Sequence, residues 1–364
     1  MRIRLPTALM AYGLEGPSAS STVDNLNPQG IHLRNPKTCP NKPSHFYKKR
    51  VLITGASGFV GSALLDDLRA KQFPVRGVVR RINDNDRDLV LVQSIDRTMN
   101  WRMIVDKVDV VVHLAARVHM MKESSVDPLA AFRKVNVDGT LTLARQAAEV
   151  GVKRFIFLSS IKVNGERTQF GQPYTPNDLP KPSDSYGISK CEAEEGLRRI
   201  AVETGMEVVI IRPVLVYGPR VKGNFLSMMR WLQKGIPLPL GSINNLRSLV
   251  AIDNLVDLIV TCLEHSAAAN QTFLASDGED LSTTELLKRT AVAMGVRARL
   301  IPVPASILQV GSGLLGKRDI AQRLCGSLQV DISKTRELLG WTPPVTVDQA
   351  LKMTVEDFLG NQRG

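Results

Sequence analysis

The sequence predicts an α/β protein whose frame is a parallel, doubly wound sheet, with a smaller lobe towards the C-terminus. Three observations carry that expectation. A short apolar run, Val51-Leu52-Ile53, breaks into a loop with glycines at Gly55, Gly58 and Gly61, then into a helix-like segment, SALLDDLRAK. From there to Arg212, short apolar runs alternate with segments of helical pattern, as expected for strands joined by crossover helices. The third is size: 364 residues with 43% apolar content are enough for one large or two modest domains with a real core.

In chain order, Met1 to Lys48 is rich in Pro, Ser and Asn without periodicity, and reads as a disordered leader or an over-extended start. It lacks the continuous apolar core of a secretory signal. Val51–Ile53 is the first strand, Pro74–Val79 the second, ending in Arg80-Arg81, and Leu89–Gln93 the third. Val108–Leu114 is the fourth and runs into Ala115-Ala116. A long helix follows over Phe132–Val150, stopped by Gly151. Arg154–Leu158 is the fifth strand, entering Ser159-Ser160; Tyr186–Thr204 is an amphipathic helix and Glu207–Arg212 the sixth strand. After Pro213 the pattern loosens, and Pro219–Gly241, rich in Gly, Pro and Leu, reads as a substrate-facing region. Leu249–Ile252 is a short strand, Asn254–His265 a helix, and Thr272–Ala275 a strand returning to the main sheet. Ser282-x-x-Glu285 opens a helix to Met294 as a capping box. Asp331–Leu339 and Val347–Leu359 are the last helices. The expected organisation is a leader over 1–48, a nucleotide-binding domain over 49–218 with its sheet completed by residues about 248–276, and a mainly substrate-binding lobe over 219–364.

Composition narrows the function classes. No run of about 18 apolar residues is present, so no membrane span is expected. Cys39, Cys191, Cys262 and Cys325 are far apart and lack zinc or C-x-x-C spacing, which fits a reduced cytoplasmic setting and no metal site. Cys191 directly follows Lys190 and reads as a structural thiol, not a nucleophile. The net charge of +12 invites a nucleic-acid reading, but residues 1–50 hold eight of the lysines and arginines against only Glu15 and Asp24. The body of the chain has no basic stripe with interleaved aromatics, which argues against nucleic acid as a partner. The remaining surplus suits anionic phosphate ligands.

Two stretches carry chemistry. In Gly55-x-x-Gly58-x-x-Gly61 the glycines allow a tight turn and let backbone amides approach a pyrophosphate at a helix N-terminus. Tyr186 and Lys190 are four residues apart on one helical face. A phenol is a poor base at its ordinary pKa near 10, and a neighbouring ammonium is expected to lower it into the working range. By itself the pair also fits an ordinary surface pairing. Ser160, at the end of the fifth strand, is placed either to bond a substrate oxygen or simply to cap the next turn.

Taken together, the glycine loop, His113-Leu114-Ala115-Ala116, Asn136 in NVDGT, Ser159-Ser160, Tyr186/Lys190, Arg212-Pro213 and Arg247 before LVAID occur in one order. In this the chain resembles the extended short-chain dehydrogenase/reductases, specifically the UDP-glucose 4-epimerase family of sugar-nucleotide enzymes, from about Arg50 to the C-terminus. The resemblance implies a Rossmann fold and an NAD(P)-dependent reaction at C4 of a UDP-linked hexose. It implies that Gly55, Gly58, Phe59, Val60 and Gly61 hold the cofactor pyrophosphate. Leu114, Ala115, Ala116 and Pro213 would line the cofactor channel, and Asn136 would organise the active site. Ser160, Tyr186 and Lys190 match the catalytic residues: Tyr186 exchanges the proton at the sugar O4, Lys190 bonds the nicotinamide ribose, and hydride moves between sugar C4 and nicotinamide C4. Lys162, Asn224, Phe225 and Arg247 match substrate positions, Arg247 offering a planar fork to a diphosphate. A homodimer through the helices Phe132–Val150 and Tyr186–Thr204 is implied as well.

Departures from the family pattern bear on the reaction. NAD-using members carry a carboxylate at the end of the second strand, where this chain has Arg80 and Arg81, able to accept a 2′-phosphate or to stand in solvent. NADP(H) is therefore favoured over NAD(H). Ser94 and Ile95 stand where the family places its adenine contact. Ile161 replaces the acid that a 4,6-dehydratase needs, so that reaction is excluded. The local wording SSIKVNG, YGISK and RSLVAIDN resembles bacterial 4-keto reductases of this family, and Asn164 of VNG stands where many of its epimerases have a tyrosine. That resemblance implies reduction of a UDP-4-keto-6-deoxy-N-acetylhexosamine to UDP-N-acetylquinovosamine for surface polysaccharide, with 4-epimerisation on tightly bound NAD as the alternative. A non-catalytic nucleotide sensor is disfavoured because both Tyr186 and Lys190 are present.

Overall fold

A computed structural model of the chain describes residues 48–81, 86–118, 127–169, 171–314 and 318–361; the expected leader lies almost wholly outside them. In chain order the elements are β1 (Val51–Thr54), α1 (Phe59–Ala70), β2 (Val75–Val79), β3 (Leu89–Leu91), α2 (Arg102–Val105), β4 (Val110–His113) and α3 (Pro128–Arg133). Then come α4 (Thr140–Glu149), β5 (Arg154–Leu158), α5 (Ser185–Thr204), β6 (Glu207–Pro213), β7 (Leu215–Tyr217), α6 (Gly223–Gln233), β8 (Arg247–Ala251) and α7 (Ile252–Glu264). The chain ends through β9 (Thr272–Ala275), β10 (Asp280–Leu281), α8 (Thr283–Ala293), α9 (Ala305–Leu314), α10 (Arg318–Cys325), α11 (Ser333–Leu339) and α12 (Val347–Gly360).

The main sheet has seven strands in the order β3-β2-β1-β4-β5-β6-β9, every neighbouring pair parallel. Its strands are apolar at successive positions because helices cover both faces. Val51 and Ile53 point into one core with Leu64 and Leu68 of α1 and Leu255, Leu258 and Ile259 of α7. Leu52, between them, points into the other with Leu143 and Ala147 of α4 and Leu197 and Ile200 of α5. The strand order reverses direction between β1 and β4, which opens a crevice at the carboxyl ends of those strands, where α/β sheets bind ligands.

Residues 248–276 divide, contrary to expectation. β9 does extend the sheet beside β6, but β8 is the middle strand of a separate three-stranded sheet, between β10 and β7. The physical reason lies at Pro213. It ends β6 without an N–H to donate, and the chain leaves the ladder there to pair β7 with β8. A third core gathers Phe225, Met229 and Leu232 of α6 with Leu287 and Ala291 of α8 and Leu351 and Val355 of α12. The Gly- and Pro-rich stretch read as a substrate-facing region contains a regular helix, α6, whose apolar spacing is masked in the sequence by its flanks. The expected Phe132–Val150 helix starts earlier, at Pro128 with Asp127 as its cap, and contains a π-helical segment over Lys134–Gly139.

Candidate active site

The glycine loop follows β1 directly. Gly55 has φ +73°, and a Cβ there would lie 2.9 Å from the backbone of Ala115, so only glycine lets the loop pass the end of β4. Gly58 is the N-cap of α1, with no side chain bonded to the helix end and no acid in the first turn. The amides of Phe59, Val60 and Gly61 begin this uncapped helix, which is the donor set a pyrophosphate requires. The residues therefore fit a dinucleotide cofactor. Ala115 N donates to Thr54 Oγ1 at 3.3 Å, which ties the Leu114-Ala115-Ala116 stretch to β1.

Beneath this loop His113 is fully buried. Its Nδ1 shares a hydrogen bond with Thr54 Oγ1 (2.7 Å) and its Nε2 one with Thr140 Oγ1 (2.9 Å). Burial, reinforced by the positive charge of Lys190, pushes the imidazole pKa down to about 3. Between pH 6.5 and 3 the unfolded chain takes up a proton that the folded one refuses, so stability falls as pH falls through that window. The slope from this group is about 1.4 kcal/mol per pH unit well inside it. Urea midpoints measured at pH 7 and pH 5 are expected to separate in the parent and to converge in His113→Gln; equal separations would refute the assignment.

The catalytic candidates are held by two networks. The first runs through Asn136, buried in the π-helical segment. Its Oδ1 accepts from Arg117 N at 2.7 Å, and its Nδ2 donates to Arg117 O and to Ser189 Oγ, each at 3.0 Å. Ser189 Oγ in turn donates to Tyr186 O at 2.8 Å. The wider turn lets Asn136 face both the loop after β4 and α5, a placement for which π-bulges recur at functional sites. The Tyr186 ring stands edge-on to Phe132, at 6.1 Å between centroids.

The second network is centred on Glu194, one turn beyond Lys190 on α5 and fully buried. It accepts from Ser159 Oγ (2.6 Å), from Arg212 Nε (2.9 Å) and Nη2 (2.6 Å), and from Arg198 Nη2 (3.1 Å). Arg212 Nη1 donates to Asn164 Oδ1 at 2.9 Å, and Asn164 Nδ2 to Thr175 O at 2.9 Å. Ser159 precedes Ser160, and Asn164 follows the short 3₁₀ turn Ile161–Val163, so this network clamps both sides of the Ser160 turn onto α5 and β6. It also gives Asn164 a structural role: its side-chain carbonyl accepts from the buried Arg212, which a tyrosine or an apolar side chain at that position could not do in the same way.

The site residues expected from sequence are placed as follows. Ser160 caps the 3₁₀ turn, accepting from Lys162 N at 3.3 Å, so the bland role read for it is realised; a hydroxyl retains donor capacity while doing so. Lys190 is fully buried, donates to Leu158 O at 2.7 Å and lies 4.1 Å above the Phe157 ring. Burial pushes its pKa down to about 7 against the opposing pull of Glu194. Tyr186 does not behave as the isolated pair suggested. Burial, with Asp184 adding to it, pushes the phenol up to about 12. The two side chains lie on one helix, but the ammonium is turned onto a strand carbonyl, and desolvation outweighs it. Lys162 pairs with Asp184, the N-cap of α5. Gly187 makes this approach possible: a Cβ would lie 2.9 Å from Lys162 O. Gly187→Ala is expected to displace the Ser160 turn, destabilise by about 1–3 kcal/mol and cost up to roughly 10²-fold in turnover. Thermal melts and steady-state rates check both, and unchanged rates would rule out the close contact as a determinant.

The remaining positions are less convergent. Arg80 and Arg81 are exposed at the end of β2, and Ser94 is exposed, while the carbonyl of Ile95 faces Gly139 of the π-helical segment. Asn224 is exposed, but Phe225 is a core residue stacked on Tyr217 at 5.5 Å, not a free platform. Arg247 is half-buried and donates through Nη1 to Arg323 O (3.0 Å) and Gly326 O (3.1 Å), which leaves other guanidinium donors to a ligand. Cys191 is buried beside Glu195, and burial pushes its thiol up to about 11, which suits an inert side chain. Sequence reasoning missed Glu194 and the role of His113. The available signals were the carboxylate one turn after Lys190 and the histidine ending an otherwise apolar strand.

An uncapped helix start after the first parallel strand, a buried lysine one turn beyond a tyrosine, and a serine turn past the fifth strand together define a nucleotide-dependent redox enzyme on a Rossmann sheet. The chain belongs to the NAD dependent epimerase/dehydratase family, whose model matches residues 51–275. It is 50% identical over 314 residues to a UDP-glucose 4-epimerase of Vibrio cholerae, covering 85% of this chain and 96% of that protein. It is 27% identical over 320 residues to the N-acetyl-alpha-D-glucosaminyl-diphospho-ditrans,octacis-undecaprenol 4-epimerase of Escherichia coli O157:H7, covering 84% and 94%. The crystal structure of the Thermotoga maritima UDP-glucose 4-epimerase with UDP-glucose superposes with a TM-score of 0.71 at 26% identity, over 86% of this chain and 99% of that one. Among the described residues no helix is long and apolar enough to cross a membrane.

Proposed function

We propose that this chain is a UDP-sugar 4-epimerase, acting first on UDP-glucose and UDP-galactose, with NAD(H) as its cofactor. The observation that carries this is half-identity to the Vibrio cholerae UDP-glucose 4-epimerase over nearly that enzyme's whole length. It reverses the order expected from sequence, in which 4-keto reduction ranked ahead of epimerisation. Bound NAD would supply the acceptor and donor of hydride at sugar C4. The chain's own residues do the rest. The amides at the start of α1 hold the pyrophosphate. Tyr186 takes the proton from the sugar O4 and returns it, Ser160 orients that oxygen, and Lys190 supplies the cation beneath the site. Glu194 and Asn136 hold these groups in place. Arg247 takes the substrate diphosphate. Association as a homodimer through the helical stretch 132–150 and α5 belongs to the same proposal and rests on family likeness.

A second reading, NADPH-dependent reduction of a UDP-4-keto-6-deoxy sugar, is favoured by one observation: the end of β2 offers exposed Arg80 and Arg81 and no carboxylate. The test is to purify the full chain, release and identify its nucleotide, and assay sugar interconversion without added cofactor. Tightly held NAD with exchange of UDP-glucose and UDP-galactose, or of their N-acetyl counterparts, is the expected result. A nucleotide-free protein that consumes NADPH only with the 4-keto-6-deoxy sugar would overturn it in favour of the reductase.

A further inference from the structure

Two stretches of the chain carry no aspartate or glutamate: one between Glu207 and Asp253, the other between Glu285 and Asp319. The fold brings them together. Leu238 N donates to Arg299 O at 2.9 Å, Ile301 N to Leu238 O at 2.8 Å and Gly241 N to Ile301 O at 2.9 Å, forming a short parallel ladder. Along the second stretch burial alternates. Val296, Ala298 and Leu300 turn inward, while Arg297, Arg299 and Ile301 turn out. Beside them Trp231, Lys234 and Ile236, at the end of α6 and the turn after it, are also exposed. An open groove of about 520 Å³ lies between the two stretches, lined in part by Gln233, Gly235, Arg297, Arg299 and Ile301. Arg299 is one of its lining residues and reaches towards the first stretch, with Nε 3.8 Å from where a Cβ on Gly235 would stand.

The surface is apolar as well as basic. Trp231 is 47% exposed, Ile236 41% and Ile301 49%, and on α9, which follows, Ile307 and Val310 are 60% and 67% exposed. Among the described residues no carboxylate is paired with Arg230, Lys234, Arg297 or Arg299, although many other arginines of the chain are so paired. Exposed apolar tips, an amphipathic tryptophan and unneutralised cations, gathered on neighbouring segments that the ladder holds together, have a specific physical complement. It is a surface that is anionic at its outer layer and apolar just beneath. A second copy docking on the same face would set these cations against one another.

We propose that this face, built from Trp231, Lys234, Ile236, Arg297, Arg299 and Ile301, docks the protein on an anionic phospholipid bilayer. The apolar tips enter the headgroup–acyl boundary and the arginines bond phosphates. The binding is peripheral and needs no spanning helix. None of these residues belongs to the cofactor or catalytic site, so the inference stands or falls independently of the reaction.

The test is co-sedimentation of the full chain with vesicles of equal parts phosphatidylglycerol and phosphatidylcholine, against pure phosphatidylcholine, with tryptophan emission recorded. Trp101 and Trp341 are buried, so a blue shift on binding reports Trp231. Binding to the anionic vesicles with a blue shift is expected, about 30-fold weaker in Arg297→Glu/Arg299→Glu. That double variant should keep the parent's melting temperature and turnover. Should it misfold, Trp231→Ser and Lys234→Glu, singly, replace it and are expected to weaken binding in the same direction. Absence of binding would overturn the proposal. So would equal binding by the variants, which would assign the affinity to another part of the chain such as the basic N-terminal residues. A change in the variant's sedimentation coefficient without vesicles, at unchanged vesicle affinity, would instead make the face an interface between copies.

Discussion

Glu194→Ala is expected to destabilise the folded protein by about 3–5 kcal/mol, a fall in melting temperature on the order of 10 °C. Glu194 and Arg212 are both almost wholly excluded from solvent, and their carboxylate–guanidinium contact is at 2.6 Å. Taking both charges out of water is costly, and only their mutual attraction and the surrounding hydrogen bonds offset it. Alanine removes one charge and leaves Arg212 buried opposite Asn164, with Ser159 stripped of its acceptor. The double variant Glu194→Leu/Arg212→Met removes both charges and is expected to recover much of the lost stability, because neither ion then remains uncompensated. Thermal melts of the parent, both singles and the double measure this. Additive losses, with the double below either single, would show that the pair contributes by packing and not as coupled charges. Turnover should fall in the double variant even where stability returns, since the clamp on the Ser160 turn is gone.

Tyr186→Phe is expected to lower turnover by about 10³-fold while leaving the melt and the retained nucleotide unchanged. The hydroxyl is the group proposed to move the O4 proton, and phenylalanine keeps the edge-on contact with Phe132. Burial holds the phenol to about 12, so in the free enzyme it carries its proton at neutral pH. The proposed role therefore needs cationic help from the assembled site, and Lys190 is the nearest source on the same helix. Lys190→Met should lower turnover by a comparable factor and cost the fold about 1–3 kcal/mol, because it removes the donor to Leu158 O while replacing an amine that burial already pushes down to about 7. Retained turnover in Tyr186→Phe would remove the phenol from the chemistry and return attention to Ser160. Loss of nucleotide in that variant would mean that the ring serves binding instead.

Much of the frame was legible because its signals are local. A parallel strand covered on both faces must be apolar at every position, as Val51–Ile53 and Arg154–Leu158 nearly are. A glycine loop at such a strand's end has few other uses. Tyr186 and Lys190 needed only helical spacing to be placed one turn apart on one helix. The ends of elements were less legible, since β3 stops at Leu91 and β4 begins at Val110. In α6 the apolar residues Phe225, Met229 and Leu232 do repeat at helical spacing, but glycines and prolines on either side resemble loop signals.

What the sequence by itself determined is the sheet's class, the position of the glycine loop after its first strand and the placing of Tyr186 and Lys190 one turn apart on one helix. Each depends on residues within a few positions of one another. Only the tertiary structure decided what those side chains touch. Glu194 gains Arg212 from β6 and Ser159 from the end of β5, Asn136 joins Arg117 to Ser189, and β8 leaves the main sheet for β7 and β10. These partners lie tens of residues apart, and no local pattern encodes which buried donor meets which acceptor. The same holds for protonation. Spacing alone suggested a phenol lowered by its lysine, whereas burial, a property of the packed molecule, pushes that phenol upward.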